Sequence, residues 1–188
     1  MRNALPSSVS KLVRVLLSLG VCLGASQAAT LERLSLSDMI AQSTAIVQGQ
    51  VTGSYAAYRG TVIYTHFKVN VTQQWKGATQ STADVMVPGG VVNGVRQTYP
   101  GAPQLAIGQQ YVLFLWTSST GATYTLGFTQ GVFSLAKDAS SGQMMAARAP
   151  TSETILDPVT GQPVKDVPIR MPLSQLSATI AAGLAQGN

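Results

Sequence analysis

A long stretch of alternating apolar and polar residues, from Val62 to Lys76, constrains the fold more than any other part of the sequence. The mainly apolar set, which we expect to face a core, is Ile63, Thr65, Phe67, Val69, Val71 and Trp75. The polar set is Tyr64, His66, Lys68, Asn70, Thr72 and Gln74. This alternation is typical of an antiparallel strand with one buried face. Because a straight strand of this length would span roughly 45 Å, we predict that it bends and coils around a small barrel.

The rest of the central region also favours short strands joined by turns. Alternation recurs over residues 45–55, and the apolar run from Tyr111 to Trp116 predicts a central strand covered on both faces. Asn93-Gly94 predicts a tight two-residue hairpin turn. We therefore predict a mainly β fold, a small curved antiparallel barrel of about five to seven strands, with an open β-sandwich as the alternative.

A helix is expected on each side of this region. Ser35 or Ser37 can cap a short helix before the first long strand. Near the C-terminus, where Ser174 is a candidate cap, four apolar residues recur at helical spacing: Leu173, Leu176, Ile180 and Leu184. Five of the nine prolines fall between Pro150 and Pro172, which predicts an extended arm. The predicted organisation is a signal peptide (1–29), a barrel (30–136), the arm (137–172) and an amphipathic helix (173–188).

The first thirty residues predict export. Arg2, Lys11 and Arg14 form a positive n-region, and the uncharged run from Val15 to Ala25 has the length of a signal-peptide h-region. The small residues around Ala28 favour cleavage there or one residue later. A membrane span needs about 20 apolar residues, so an uncleaved N-terminal anchor is the weaker alternative. The expected location is therefore periplasmic or extracellular.

Cleavage changes the charge and removes the cysteine. Three basic residues leave with the signal, so nine basic and seven acidic residues remain, a net charge of +2 instead of +5. Cys22, the only cysteine, lies inside the h-region, and the bulky Val21 before it argues against lipidation. Membrane attachment is thus expected only through an uncleaved signal or lipidation at Cys22. The mature domain would hold no disulfide and no thiolate ligand.

Several short strings between Ser43 and Leu135 resemble a recurring domain of secreted bacterial proteins of unknown function. These strings are Ala45 to Val51, Trp75 to Gly77, Val87 to Gly90, Gly108 to Leu115 and Gln130 to Phe133. Their order is also similar to that of the netrin and metalloproteinase-inhibitor version of the OB-fold. This resemblance implies an OB-like β-barrel. Those inhibitors chelate zinc through an N-terminal cysteine, whereas the mature chain would begin near Thr30, so their mechanism does not carry over.

The residue types argue against most enzyme chemistry. His66 is the only histidine, so a metal site built on several imidazoles is excluded, and we expect no metal and no cofactor. Neither a nucleophile elbow nor a phosphate-binding glycine loop is present. One enzymatic alternative stays open: a secreted hydrolase that uses His66 with Asp84 and a serine such as Ser54.

A non-enzymatic protein that binds another envelope or secreted protein is the predicted function. The first candidate surface combines two glycine-rich loops with side chains that are common at interfaces: Pro88, Gly89, Gly90, Arg96 and Tyr99. The second is the polar strand face of Tyr64, His66 and Lys68. That face would also suit a nucleic-acid binder of the OB type, but the export signal and the low mature charge argue against nucleic acid.

Overall fold

The structure, a computed structural model, describes residues 30–151 and 153–187. The predicted signal peptide and Cys22 lie outside these residues. The α-helices of the described part are α1 (Leu36–Gln42) and α2 (Leu173–Gln186), and a short 3-10 helix spans Phe128–Gly131. Its strands are β1 (Thr30–Glu32), β2 (Ala45–Arg59), β3 (Val62–Lys76), β4 (Thr82–Pro88), β5 (Gly90–Val92), β6 (Val95–Gln97), β7 (Gln110–Thr117), β8 (Thr123–Thr125), β9 (Val132–Lys137), β10 (Met144–Arg148), β11 (Thr154–Leu156), β12 (Pro163–Val164) and β13 (Ile169–Pro172).

Five strands form a ring, which confirms the predicted mainly β, curved architecture. β2 pairs with β3 and β7, β3 pairs with β4, and the short β8 pairs with both β4 and β7. The β4–β8 pair is parallel and the other pairs of the ring are antiparallel, so the predicted all-antiparallel pattern is wrong at this seam. β8 forms only two residue pairs with β4 and three with β7, so the barrel is not strictly closed along its length.

The long strand has the predicted bounds, but one of its residues faces the other way. The β2–β3 register skips Thr72 and Trp75 in β3, as well as Thr52 in β2. Such bulges bend the strand and turn the following side chains to the other face. Trp75 therefore packs outside the barrel, where its indole Nε1 donates a hydrogen bond to the Ser177 hydroxyl of α2 at 3.0 Å.

The barrel interior is apolar and comes mainly from alternate residues of the ring strands. Phe67 and Val69 of β3 lie there, with Leu113 and Leu115 of β7, as the alternation predicts. The whole buried interior set is Ala45, Val47, Val51, Phe67, Val69, Ala83, Val85, Val87, Leu105, Tyr111, Leu113 and Leu115. Val71 is only partly buried against this set.

A second core lies outside the barrel, beneath the two helices. Its buried residues are Met39, Ile40, Ile46, Val112, Phe114, Phe133, Leu135, Ala146, Leu176 and Ile180. Leu173 and Leu184 pack against this set, so all four predicted apolar residues of α2 face the barrel. The helices approach closely because Gly183 has no side chain: a Cβ there would lie 2.9 Å from Ile40 Cδ1.

The helix starts are only partly as predicted. Ser35 is the N-cap of α1, and its side chain and the Asp38 carboxylate form a capping box. In α2 the N-cap is Pro172, without a side-chain cap, because the helix already begins at Leu173. Ser174 therefore lies within the first turn, and its predicted capping role is wrong.

The predicted extended arm is built into the sheets. β9, β10 and β13 continue the main sheet from β7, while β11 pairs with β1 and β12. A buried ion pair fastens this segment: the Arg148 guanidinium donates two hydrogen bonds to Asp166, at 2.8 and 2.7 Å. Asp166 also accepts a hydrogen bond from the backbone N–H of Thr151 at 2.8 Å. The segment that precedes β13 and α2 is thereby tied to β10.

Replacement of Phe67 by alanine should remove about 3–5 kcal/mol from the free energy of unfolding, because the side chain fills the barrel interior. Urea denaturation of the wild type and the variant measures this difference. Ile107→Ala is the control, since Ile107 is 62% exposed and should change little. An unchanged stability of the Phe67 variant would mean that β3 presents its other face to the core.

The ion pair between Arg148 and Asp166 should make the free energy of unfolding depend on pH. Burial alone would raise the pKa of Asp166, but the hydrogen bonds from Arg148 and Thr151 outweigh burial and lower it. Because the native pKa lies below the usual value near 3.9, the stabilisation is present above pH ~4 and is lost as the pH falls through the native pKa.

We therefore expect Asp166→Asn to cost about 3–5 kcal/mol at pH 7, where it breaks a buried pair. Other carboxylates titrate in the same pH range, so the stability difference between wild type and variant is the quantity to measure. Denaturant titrations should show that this difference shrinks below pH ~4. A difference that stays constant down to pH 2 would contradict the proposed role of the ion pair.

Candidate functional site

The structure brings the first five predicted binding residues together at one cleft. This barrel-mouth cleft has a volume of about 360 Å³ and reaches the interior residues Phe67, Val87 and Leu105. Its predicted members are Pro88, Gly89, Gly90, Arg96 and Tyr99. Hydrogen bonds hold its walls: Gln97 Oε1 accepts from the Ile63 N–H at 2.7 Å, and Gln97 Nε2 donates to the Thr61 carbonyl at 2.9 Å.

The glycines of this cleft have a structural explanation. Gly89 and Gly90 have φ angles of +106° and +143°, which side chains rarely allow. A Cβ on Gly90 would also lie 2.7 Å from Thr65 Oγ1. Asn93 and Gly94 have positive φ angles, 49° and 80°, as the predicted tight hairpin requires. Much of the sequence pattern that singled out these loops is therefore accounted for by backbone conformation.

The second predicted surface, the polar face of β3, holds a cluster of charged groups. Asp84 of β4 accepts hydrogen bonds on both of its carboxylate oxygens. His66 Nδ1 lies 3.1 Å from Oδ1, and Lys68 Nζ lies 2.7 Å from Oδ2. The hydrogen bond to Asp84 raises the pKa of the Lys68 ammonium. Tyr55 of β2 stacks on the His66 ring, with the ring centroids 4.5 Å apart and the planes within 12°.

A row of three aromatic side chains continues this surface around the barrel. The Tyr64 and Tyr124 ring centroids are 5.9 Å apart, and those of Tyr124 and Trp116 are 6.1 Å apart. Trp116 is 45% exposed, so the prediction that the strand is covered on both faces is wrong at this residue. Burial, with smaller contributions from Tyr124 and Tyr99, raises the pKa of the Tyr64 phenol.

Arg59, at the end of β2, lies beside the aromatic row. Its Nη1 donates to the Tyr124 hydroxyl at 3.2 Å and approaches Met86 Sδ at 3.8 Å, and its Nη2 donates to Thr120 Oγ1 at 2.6 Å. A cleft of about 370 Å³ opens here, with Arg59, His66, Asp84, Met86 and Thr120 among its lining residues. The contacts to Thr120 and Tyr124 fix the guanidinium against the loop between β7 and β8.

These groups share one surface because of strand register. Paired residues lie on the same face of a sheet. The pairs Tyr55–His66, Lys68–Asp84, His66–Met86, Met86–Tyr124 and Tyr124–Trp116 run across the five strands of the ring. The outer face, as we call it, consists of Tyr55, Arg59, Tyr64, His66, Lys68, Asp84, Met86, Trp116 and Tyr124.

Register also separates Ser54 from His66. Ser54 pairs with Phe67, whose side chain is in the barrel interior, whereas His66 pairs with Tyr55. Successive residues of a strand point to opposite faces. The structure thus brings His66 and Asp84 together, as the hydrolase alternative requires, but it places the suggested serine on the other side of the sheet.

Five residues of the outer face were missed at the sequence level: Tyr55, Arg59, Met86, Trp116 and Tyr124. Tyr55 could have been found, because a two-residue turn between Arg59 and Val62 places Tyr55 opposite His66. Trp116 and Tyr124 join the surface only through the parallel β4–β8 seam, which has no local signal in the sequence.

Comparisons with known proteins add no relative: no family model, curated protein or solved structure matches the chain. Within residues 30–151 and 153–187, no group of three or more His, Cys, Asp or Glu residues is placed to hold a metal ion. Neither helix of this part has the length and hydropathy that a membrane span requires.

Proposed function

We propose that the chain is an exported, non-enzymatic binding protein of the cell envelope and that it binds its ligand on the outer face. The observation that carries this proposal is the aromatic row of Tyr64, Tyr124 and Trp116, which lies on the part of the barrel that the helices leave uncovered. Phe114 is fully buried beneath the helices, whereas Trp116, two residues along the same face of β7, is 45% exposed. A cluster of aromatic side chains that includes an exposed tryptophan is characteristic of binding surfaces.

The position of the outer face in the ring supports the same conclusion. OB-like barrels bind oligosaccharides and oligonucleotides on the face of their second and third strands and on the two adjoining loops. The corresponding elements here are β3 and β4, the β2–β3 turn and the β7–β8 loop. The hydrogen bond from Arg59 to Thr120 joins that turn to that loop, so the border of the surface is held in place.

The barrel-mouth cleft is the weaker of the two candidate surfaces. Its glycines are needed for the backbone conformation, and Gln97 is occupied by two hydrogen bonds to the backbone of residues 61 and 63. Arg96 and Tyr99 remain as side chains that could contact a partner. The export part of the proposal is supported by the sequence of residues 1–29, with its basic n-region and short apolar run.

A secreted hydrolase is the second candidate function, because His66 Nδ1 lies 3.1 Å from Asp84. Such a pair can orient an imidazole as a general base. Ser54 lies on the opposite face, and Thr120, a hydroxyl in the same cleft, accepts a hydrogen bond from Arg59. Turnover of ester, peptide or glycoside substrates that His66→Ala abolishes would replace the binding proposal with this one.

The binding proposal predicts that Trp116→Ala reduces capture of the native ligand from envelope extracts at least tenfold, with an unchanged melting temperature. The side chain is exposed, so its loss should remove contact area without loss of core packing. Tyr99→Ala, in the barrel-mouth cleft, is the matched control and should leave capture unchanged. The reverse result, with capture lost in the Tyr99 variant alone, would move the site to that cleft.

A further inference from the structure

We infer that the ligand of the outer face is an acidic saccharide whose anionic group pairs with Arg59. This inference rests on the proposed function, since it names the chemistry of the ligand for the same surface. It goes beyond that proposal because it assigns one residue the recognition of charge and the neighbouring aromatic rings the recognition of sugar.

Arg59 is a cation without an acidic partner. Among the described residues, the ion pairs within 4.0 Å involve Asp84, Asp138 and Asp166, and none of them includes Arg59. A guanidinium has five N–H donors. The contacts of Arg59 to Tyr124, Met86 and Thr120 engage Nη1 and one hydrogen of Nη2. Nε–H and the second Nη2 hydrogen are left for a ligand, and two such donors suit a carboxylate or a phosphate.

The other charges of the outer face do not compensate Arg59. Asp84 is the carboxylate in the same cleft, and both of its oxygens are engaged by His66 and Lys68. The Lys68 ammonium and the Asp84 carboxylate offset one another, so the net positive charge of the cleft comes from Arg59. Because Thr120 and Tyr124 already hold the guanidinium, little side-chain freedom remains to be lost when an anion binds.

The groups around Arg59 suit a sugar. The flat C–H faces of a pyranose ring stack on aromatic rings, and Tyr124 and Trp116 offer two such rings beside the guanidinium. Sugar hydroxyls need hydrogen-bond partners. Thr120, His66 and Asp84 line the adjoining cleft and provide a hydroxyl, an imidazole and a carboxylate. An aromatic platform with polar groups and one free cation therefore matches a saccharide that carries few acidic groups.

The charge pattern is less suited to nucleic acid. A strand of nucleic acid presents one phosphate per nucleotide and is bound in grooves that place several cations along its backbone. The cations of the outer face are Arg59 and Lys68, and Lys68 is paired with Asp84 at 2.7 Å. After removal of the predicted signal the chain also has only nine basic residues against seven acidic ones.

The test begins with a glycan array of neutral and acidic glycans, probed with the exported chain. The acidic glycan that binds best and its carboxyl-reduced, neutral counterpart are then titrated calorimetrically against the wild type and Arg59→Gln. We expect the wild type to bind the acidic glycan at least tenfold more tightly than the neutral one, as a charge-assisted hydrogen-bonded pair typically contributes. Arg59→Gln should remove this preference, so that the ratio of the two affinities falls to about one.

Three controls separate the effect of the Arg59 guanidinium from a general loss of positive charge and from misfolding. Arg96→Gln changes another arginine without an acidic partner, but in the barrel-mouth cleft, and should bind like the wild type. Arg59→Lys keeps the positive charge but lacks the planar set of N–H donors, so it should retain part of the preference that Arg59→Gln loses. Melting temperatures that match the wild type exclude a folding defect in the variants.

The possible failures are distinct. Equal affinity for the acidic and neutral glycans, with both lost in Trp116→Ala, would overturn the role of Arg59 and leave the proposed site intact. Tighter binding of a single-stranded oligonucleotide than of any acidic glycan would replace the saccharide with nucleic acid. Capture of an envelope ligand that Trp116→Ala does not affect would overturn the outer face itself, and the inference with it.

Discussion

The structure depends on the burial of both faces of β7. Leu113 and Leu115 face the barrel interior, where the ring of strands encloses them. Val112 and Phe114 face outward, and a barrel cannot cover its own outside. The two helices supply that cover, and the strands β9 and β10 extend the covered sheet beside β7, which is why a small barrel carries a second core on one flank. Each core is apolar, so both contribute to folding through the same hydrophobic driving force.

The extent of this cover determines where the outer face lies. The helices bury Phe114 but not Trp116, which pairs with Tyr124 of the next ring strand, β8. The segment that holds α2 in place is itself fastened by the Arg148–Asp166 pair, whose side chains are only 7% and 9% exposed. The elements that complete the second core thus leave the outer face uncovered.

Local patterns in the sequence predicted the elements better than their assembly. The alternation over β3 predicts the bounds of that strand, and Asn93-Gly94 predicts the β5–β6 hairpin, because both signals depend on neighbouring residues. Trp75 and Trp116 were placed wrongly. The side that Trp75 faces depends on bulges in the β2–β3 register, and the exposure of Trp116 depends on where the helical cover ends.

In the candidate site, too, the local pattern predicts the residues of one strand face, but not the contacts between distant segments. His66, Lys68 and Asp84 came from the polar side of one alternating strand and its neighbour, and they do meet. Arg59 and Tyr124 meet because the β2–β3 turn reaches the β7–β8 loop, two segments more than 60 positions apart in the sequence. Contacts of this kind arise from ring closure, for which a single sequence carries no periodic signal.

The two tryptophans of the chain report whether the helices cover one flank of the barrel and leave the other open. Trp75 packs against α2, and Trp116 lies on the open flank. Acrylamide quenching of fluorescence in the single-tryptophan variants Trp75→Phe and Trp116→Phe reports the accessibility of the remaining indole. We expect quenching several-fold stronger for Trp116 than for Trp75. Equal quenching of the two, or a protected Trp116, would contradict this expectation.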